Sequence, residues 1–98
     1  MEFKGTKGVW EVCKKNAFQT EINTSKSRVA EVKHYSSQID KFLLEPSEEE
    51  GKANAQLISA APELLEALKI YLNAGSKDQR REASIIAKKA IEKATKID

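Results

Sequence analysis

Apolar residues change their spacing once along this 98-residue chain, and that change constrains the fold more than any other feature. In residues 9–35, apolar and polar residues alternate in three short runs with polar breaks between them. From residue 57 onward, apolar residues recur at intervals of three or four. Alternation is typical of half-buried strands, and the wider interval is typical of amphipathic helices. The sequence therefore predicts an α+β fold, a three-stranded antiparallel β-meander followed by two or three α-helices packed on one face.

The chain is expected to form a single domain over residues 1–98, because this length suits one domain and not two. Its predicted parts are a β-meander over residues 1–35, a connector over residues 36–46 and a helical part over residues 47–98. The predicted strands span residues 9–13, 18–24 and 28–35. We expect Trp10 and Phe18 to pack between the sheet and the helices, because aromatic side chains bury a large apolar area.

Two capping boxes mark predicted helix starts. Ser47 is followed three residues later by Glu50, and Ser76 is followed three residues later by Gln79. In each pair the serine oxygen can accept a hydrogen bond from a backbone N–H of the first turn. The last helix is therefore expected to run from about residue 77 to residue 96.

Pro62 interrupts the apolar stripe of the helical part. Proline removes a backbone donor and clashes with the preceding turn of a helix. We therefore expect a break or kink near residues 60–61, with Pro62 in the first turn of the next helix. Gly75 is expected to end that helix in the left-handed conformation.

The last predicted helix has two different faces. Its inner stripe is expected to consist of small and apolar residues, namely Ala83, Ile86, Ala87, Ala90 and Ala94. Four basic residues on the opposite face are the candidate ligand-binding or partner-binding residues, namely Lys77, Arg80, Arg81 and Lys88. Ile85 falls on the polar side of this helix, and it is the candidate self-association residue of a homo-oligomer.

Charge is distributed in three blocks, although the formal net charge is only +2. Residues 1–35 carry seven basic and four acidic side chains, residues 36–66 carry two and seven, and residues 67–98 carry eight and four. An acidic middle between basic ends can form ion pairs within one molecule or between copies, and ordinary solvated faces give the same pattern. So small a net charge does not by itself indicate nucleic-acid binding.

No motif indicates catalysis, so we expect a protein that is not an enzyme, with no catalytic residue, metal ligand or cofactor. Cys13 and His34 are the single cysteine and the single histidine, and they lie in different predicted strands. Nucleophilic or metal chemistry needs further partners at a defined spacing. Cys13 is expected to be a small core residue and His34 a surface or rim residue. The four glycines lack the spacing of a phosphate-binding loop.

Location is predicted from what the sequence lacks. The N-terminus has no apolar region of the kind that signal peptides carry, and no apolar run approaches the roughly 20 residues that cross a bilayer. A lone cysteine suits a reducing compartment. We therefore expect a cytoplasmic protein without membrane contact.

Two segments resemble a known group of proteins. The segment that begins at Ala53 and ends at Leu68 reads ANAQLISAAPELLEAL, and the first twelve residues read MEFKGTKGVWEV. Both resemble small uncharacterised phage and prophage proteins that share a segment usually written ANAKLIAAAPELLEAL, from which this chain differs at Gln56 and Ser59. The resemblance implies that a phage encodes the chain and that it acts in the cytoplasm of the host cell. It transfers no catalytic residue to this sequence.

Three functions are compatible with these features. The first is a non-enzymatic phage accessory protein that binds a host protein, for instance one that belongs to a defence system. The second is an oligomeric sponge that sequesters a small anionic signal such as a nucleotide, with lysines and arginines of the basic ends in a pocket between subunits. The third is a nucleic-acid-binding accessory protein, whose affinity would fall steeply with salt. We favour the first, because the chain is small, lacks catalytic motifs and resembles phage proteins.

Overall fold

The computed structural model describes residues 2–16, 18–34 and 47–96. The elements follow one another in the order β1 (Glu11–Asn16), β2 (Gln19–Asn23), β3 (Arg28–Lys33), α1 (Glu48–Ser59), α2 (Ala61–Asn73) and α3 (Lys77–Thr95). This order confirms the predicted α+β fold, a β-meander followed by helices. The predicted connector, residues 36–46, and the predicted last strand residue, Tyr35, lie outside the described residues.

The three strands form one antiparallel sheet in the order β1-β2-β3. Val12 lies opposite Ile22 in the first strand pair, and Ile22 lies opposite Ala30 in the second. Thr24 forms the turn between β2 and β3, because its N–H donates to the carbonyl oxygen of Ser27 at 2.8 Å and its hydroxyl accepts the N–H of Ser27 at 3.1 Å. Side chains that bond to nearby backbone in this way favour turns over continued strands.

Helix α1 covers one face of the sheet and closes the core. Ile22, Val32 and Ala55 are buried at its centre. The core also contains partly buried apolar residues, namely Trp10, Val29, Ala30 and Ile58. The expected position of Trp10 against the core is thereby confirmed.

Phe18 does not pack in the core, and that prediction is wrong, because its side chain is 46% exposed. The cause is a turn that precedes β2. Asn16 Oδ1 accepts the N–H of Phe18 at 2.7 Å and the N–H of Gln19 at 3.1 Å. This turn places Phe18 at the end of the sheet, before the first residue of β2, where its carbonyl oxygen accepts the N–H of His34 at 2.9 Å.

The predictions for Cys13 and His34 are both wrong, in opposite directions. Cys13 is exposed, whereas His34 is only 2% exposed. His34 follows the buried Val32 by two residues, so the two side chains point to the same face of the sheet, toward α1. Cys13 lies opposite Glu21 on the other face. Alternation located the strands, but it did not show which face the helix covers.

Helices α1 and α2 are separated at Ala60, as Pro62 predicts. The N–H of Ala60 donates to the carbonyl oxygen of Gln56 at 3.2 Å, and its own carbonyl oxygen accepts the N–H of Leu64 at 2.9 Å. Pro62 occupies the first turn of α2. At that position the missing N–H of proline interrupts no hydrogen bond within the helix.

Both predicted capping boxes supply an N-cap. Ser47 Oγ accepts the N–H of Glu50 at 3.2 Å, and Ser76 Oγ accepts the N–H of Gln79 at 3.2 Å. These bonds satisfy donors that have no partner within the first turn of a helix. Helix α3 therefore begins at Lys77, as predicted.

The prediction that Gly75 ends α2 in the left-handed conformation is wrong. Among the described glycines, Gly8 is the one with a positive φ, at 102°. Helix α2 ends at Asn73, and the next residue, Ala74, has an extended backbone at φ −72° and ψ 118°. The N–H of Gly75 donates to Gln79 Oε1 at 2.7 Å. The start of α3 thus fixes this short connection, and no left-handed residue is needed.

Helices α2 and α3 form an antiparallel hairpin that packs through alanines. Ala67 of α2 and Ala83, Ala90 and Ala94 of α3 are buried. These positions confirm the predicted inner stripe of α3, although Ile86 at its edge is partly exposed. The molecule is elongated, with principal extents of 53 × 27 × 21 Å. Within the described ranges, no helix has the length and apolar character needed to cross a membrane.

Candidate binding surfaces

An apolar groove runs between α2 and α3 and opens to solvent, with a volume of about 330 Å³. We call it the α2–α3 face and define it by its lining residues, namely Leu64, Ala67, Leu68, Tyr71, Ala87 and Ile91. The side chains of Leu68, Tyr71 and Ile91 are 64%, 55% and 54% exposed. Large apolar side chains therefore contact water on a surface that the described part of the chain leaves uncovered.

The origin of this face is an apolar arc on α2 that is wider than α3 can cover. At 100° per residue, the apolar residues of α2 extend from Ile70 to Leu65 over about 220° of the helix circumference. A half-buried surface helix needs an apolar stripe of roughly 100°. Ala67, about 60° from the Ile70 end of the arc, is the residue of α2 that is buried. Leu68 and Leu72 remain exposed to solvent, at 64% and 69%.

Four basic side chains of α3 share the side of the helix that carries Ile91. At 100° per residue, Arg80 lies between Ala87 and Ile91 on the helix circumference. The other three predicted binding residues follow on the side of Ile91 that is remote from Ala87, namely Lys77, Lys88 and Arg81. All four are exposed, and none forms an ion pair with a described residue. None of the four lines the groove: Lys88 directly follows the lining residue Ala87, whereas Lys77, Arg80 and Arg81 precede Ala87 by six to ten residues, which is about 9–15 Å along the helix axis.

Ile85 lies elsewhere on α3. It is exposed, as its place on the polar side predicts, but about 120° separate it from Ile91 around the helix. It does not line the α2–α3 face. Ile85 is thus an isolated exposed side chain, of the kind that is common on protein surfaces.

A second cleft lies where β1, β2, α1 and the end of α3 meet, with a volume of about 190 Å³. We call it the lysine cleft and define it by its lining residues, namely Val12, Lys14, Thr20, Lys52, Ala53, Gln56 and Lys96. Glu48 is the carboxylate at its edge, 3.3 Å from Lys14 Nζ and 3.8 Å from Lys52 Nζ. The hydrogen bond and the charge of Lys14 lower the pKa of Glu48 from its ordinary value of 4.5. Lys96 has no ion pair with any described residue.

His34 lies beside this cleft but is enclosed. Its Nε2 is 3.1 Å from the hydroxyl oxygen of the buried Thr20, and its Nδ1 has no hydrogen-bond partner among the described residues. Cys13 and His34 project from opposite faces of the sheet, so the fold does not bring them together. The described residues contain no group of three or more histidine, cysteine or carboxylate side chains that could hold a metal ion.

The sequence matches the profile of a family described as Salmonella phage P22 protein Y8K6, over residues 1–96. The chain belongs to this family. The phage origin that the sequence resemblance implies is therefore confirmed at the level of the family. No curated protein matches the chain, and no solved structure does. The description of the Y8K6 family names a phage but no activity. The functional proposal therefore rests on the α2–α3 face and the lysine cleft.

In this member of the Y8K6 family, sequence reasoning selected basic residues of α3 that do not line the α2–α3 face, and it missed the apolar residues that do. The basic residues of α3 were selected, because their stripe opposes the alanines. The exposed leucines of α2 and Ile91 were not selected, because an apolar stripe is usually buried. The missed signal was the width of the apolar arc on α2, which exceeds what one alanine-rich neighbour can cover.

Proposed function

We propose that this phage-encoded chain is a non-enzymatic accessory protein that binds a host protein through the α2–α3 face. The observation that carries the proposal is the row of exposed apolar side chains at Leu68, Tyr71 and Ile91. Soluble monomers rarely expose a contiguous apolar surface unless it is an interaction site. A host defence protein is one such partner, since a bound phage protein can inhibit it by covering a surface that it needs.

The charge beside the groove defines the chemistry of the partner. Lys88 supplies positive charge beside the lining residue Ala87, and it has no ion-pair partner among the described residues. Complementary charge favours binding of the correct partner and disfavours others. The partner is therefore expected to present apolar side chains flanked by aspartate or glutamate.

The shape of the groove defines the form of the contacting segment. Two antiparallel helices leave a shallow channel between them, and a third amphipathic helix fits such a channel along its apolar face. The partner is therefore a host protein with an acidic amphipathic helix. Aromatic and aliphatic side chains at the centre of such a contact contribute most of its binding energy.

Affinity capture from phage-infected host cells tests this function with a matched pair of variants, Leu68→Glu and Ile85→Glu. Both add one negative charge at an exposed apolar position of a helix. We expect the same host protein with the wild-type chain and with Ile85→Glu, and at least a tenfold lower recovery with Leu68→Glu. Equal recovery with the two variants would place the contact elsewhere and contradict the proposal.

The mass of the purified chain in solution separates a host partner from a second copy. The proposal expects a monomer whose mass is the same for the wild type and Leu68→Glu. A wild-type dimer that Leu68→Glu converts to a monomer would show that another copy of the chain occupies the face.

A further inference from the structure

We propose that the lysine cleft is a second binding site, specific for the phosphoryl group of a small ligand, and that it is separate from the α2–α3 face. The three lysines that line it come from three elements, Lys14 from β1, Lys52 from α1 and Lys96 from the end of α3. Folding thus collects one lysine from the basic N-terminal block, one from the acidic middle and one from the basic C-terminal block.

The charge in the lysine cleft is not balanced by the described residues. Glu48 is the carboxylate near Lys14 and Lys52, and one carboxylate offsets one of the three positive charges. Lys96 remains without an ion pair among the described residues. Like charges that are held close together repel, and a bound anion with two or more negative charges removes that repulsion. A phosphate monoester or a pyrophosphate has that charge.

Two polar side chains form part of the wall of the lysine cleft. Thr20 is only 1% exposed, and its hydroxyl is paired with His34 Nε2 at 3.1 Å. Gln56 is held in place, because its Nε2 donates to the carbonyl oxygen of Lys93 at 2.7 Å. These side chains already have partners, so the lysines supply the attraction for an anion, and a preformed wall loses little conformational freedom when a ligand binds.

The volume of the lysine cleft limits the size of what it encloses. About 190 Å³ is less than the roughly 300–1,000 Å³ that sites for drug-sized ligands occupy. The cleft therefore encloses the phosphate end of a ligand, and any nucleoside attached to that end lies outside it. Free pyrophosphate and the terminal phosphates of a nucleotide are the two sources of this one chemistry.

Calorimetric titration of the full chain at low ionic strength tests the site with two probes, pyrophosphate and ATP. Low salt is used because exposed charges are screened over about 10 Å at 0.1 M. We expect the wild type to bind at least one probe, and Lys52→Gln and Lys96→Gln each to weaken binding about tenfold. The matched control is Lys26→Gln, which removes the same charge from an exposed position in the turn between β2 and β3 and is expected to change the Kd less than twofold.

The outcomes of this titration separate the two sources and decide the proposal. Equal Kd values for pyrophosphate and ATP would assign the site to the phosphoryl group alone, and tighter binding of ATP would assign it to a nucleotide. Absence of binding by both probes would overturn the proposal. Equal weakening by Lys26→Gln and Lys52→Gln would overturn it too, because only the total charge would then matter.

Discussion

The ammonium group of Lys93 donates to Glu63 Oε1 at 2.8 Å, and this pair joins the last turn of α3 to the first turn of α2. The same ammonium group donates to the carbonyl oxygen of Trp10 at 3.0 Å. Lys93 also accepts the side-chain N–H of Gln56 at its carbonyl oxygen. One partly buried residue thereby connects the helical hairpin, α1 and the segment before β1.

Replacing Lys93 with methionine is expected to lower the free energy of unfolding by about 1–3 kcal/mol. The substitution keeps an unbranched side chain, but it leaves the Glu63 carboxylate and the Trp10 carbonyl without their donor. Chemical denaturation measures the change. Lys89→Met is the control, because Lys89 is exposed on the same helix and should change stability by less than about 0.5 kcal/mol. Equal effects of the two substitutions would show that the bonds of Lys93 contribute nothing.

Gly51→Ala is expected to destabilise the protein, although alanine is the better helix former by about 1 kcal/mol. A Cβ at this position of α1 would lie 2.6 Å from Cγ of the buried His34, so helix and sheet would have to separate. Overpacking of this kind costs roughly 1–3 kcal/mol. Thermal unfolding of Gly51→Ala and of the exposed control Asn54→Ala measures the difference. An increase in Tm for Gly51→Ala would show that α1 does not lie against His34.

Lys14→Gln is expected to raise the pKa of Glu48, because the hydrogen bond and charge of Lys14 lower it from 4.5. A lowered pKa in the folded state gives stability that is present above the unfolded value and is lost as pH falls through the folded value. The stability difference between wild type and Lys14→Gln should therefore shrink as pH falls below about 4.5. Carboxyl NMR titration and denaturation between pH 2 and pH 7 measure both effects. A pH-independent difference would rule out the Lys14–Glu48 pair.

Leu68→Glu is expected to leave the free energy of unfolding within about 0.5 kcal/mol of the wild type and to raise solubility. Leu68 is exposed, so folding gains little from its burial. Ala90→Leu is the contrasting variant, because Ala90 of α3 is buried. A larger side chain at this position should lower the free energy of unfolding by about 1–3 kcal/mol. Chemical denaturation of Leu68→Glu and Ala90→Leu measures the free energy of unfolding of each variant. A large loss of stability in Leu68→Glu would show that part of the same chain covers this face.

Local patterns in the sequence predicted local structure well. Ser47, Ser76 and Pro62 act within one or two helical turns, so their effects on helix ends follow from neighbouring residues alone. Gly75 failed as a helix end because the capping box that follows it determines the same short connection. Prediction from local sequence therefore failed where two neighbouring signals, Gly75 and the capping box after it, specify different conformations for the same residues.

Tertiary placement was less predictable from the sequence. Alternation assigned His34 and Cys13 to strands, but only the position of α1 decides which of them is buried. Likewise, the lysine cleft requires Lys14, Lys52 and Lys96 to meet, although up to 82 positions of sequence separate them. The distribution of charge along the sequence shows that both ends are basic, but it does not show which lysines lie close together in the folded chain.

The central claim is that a host protein occupies the α2–α3 face, and site-specific photo-crosslinking in infected cells tests it most directly. A photoreactive phenylalanine analogue replaces Tyr71 in one variant and Ile85 in the other, so both probes are exposed and lie on neighbouring helices. The account predicts a covalent adduct with one host protein from position 71, through an acidic amphipathic segment, and none from position 85. Two results would contradict it. In one, the probe at position 85 forms an adduct with a host protein and the probe at position 71 forms none. In the other, the probe at position 71 crosslinks only to a second copy of this chain.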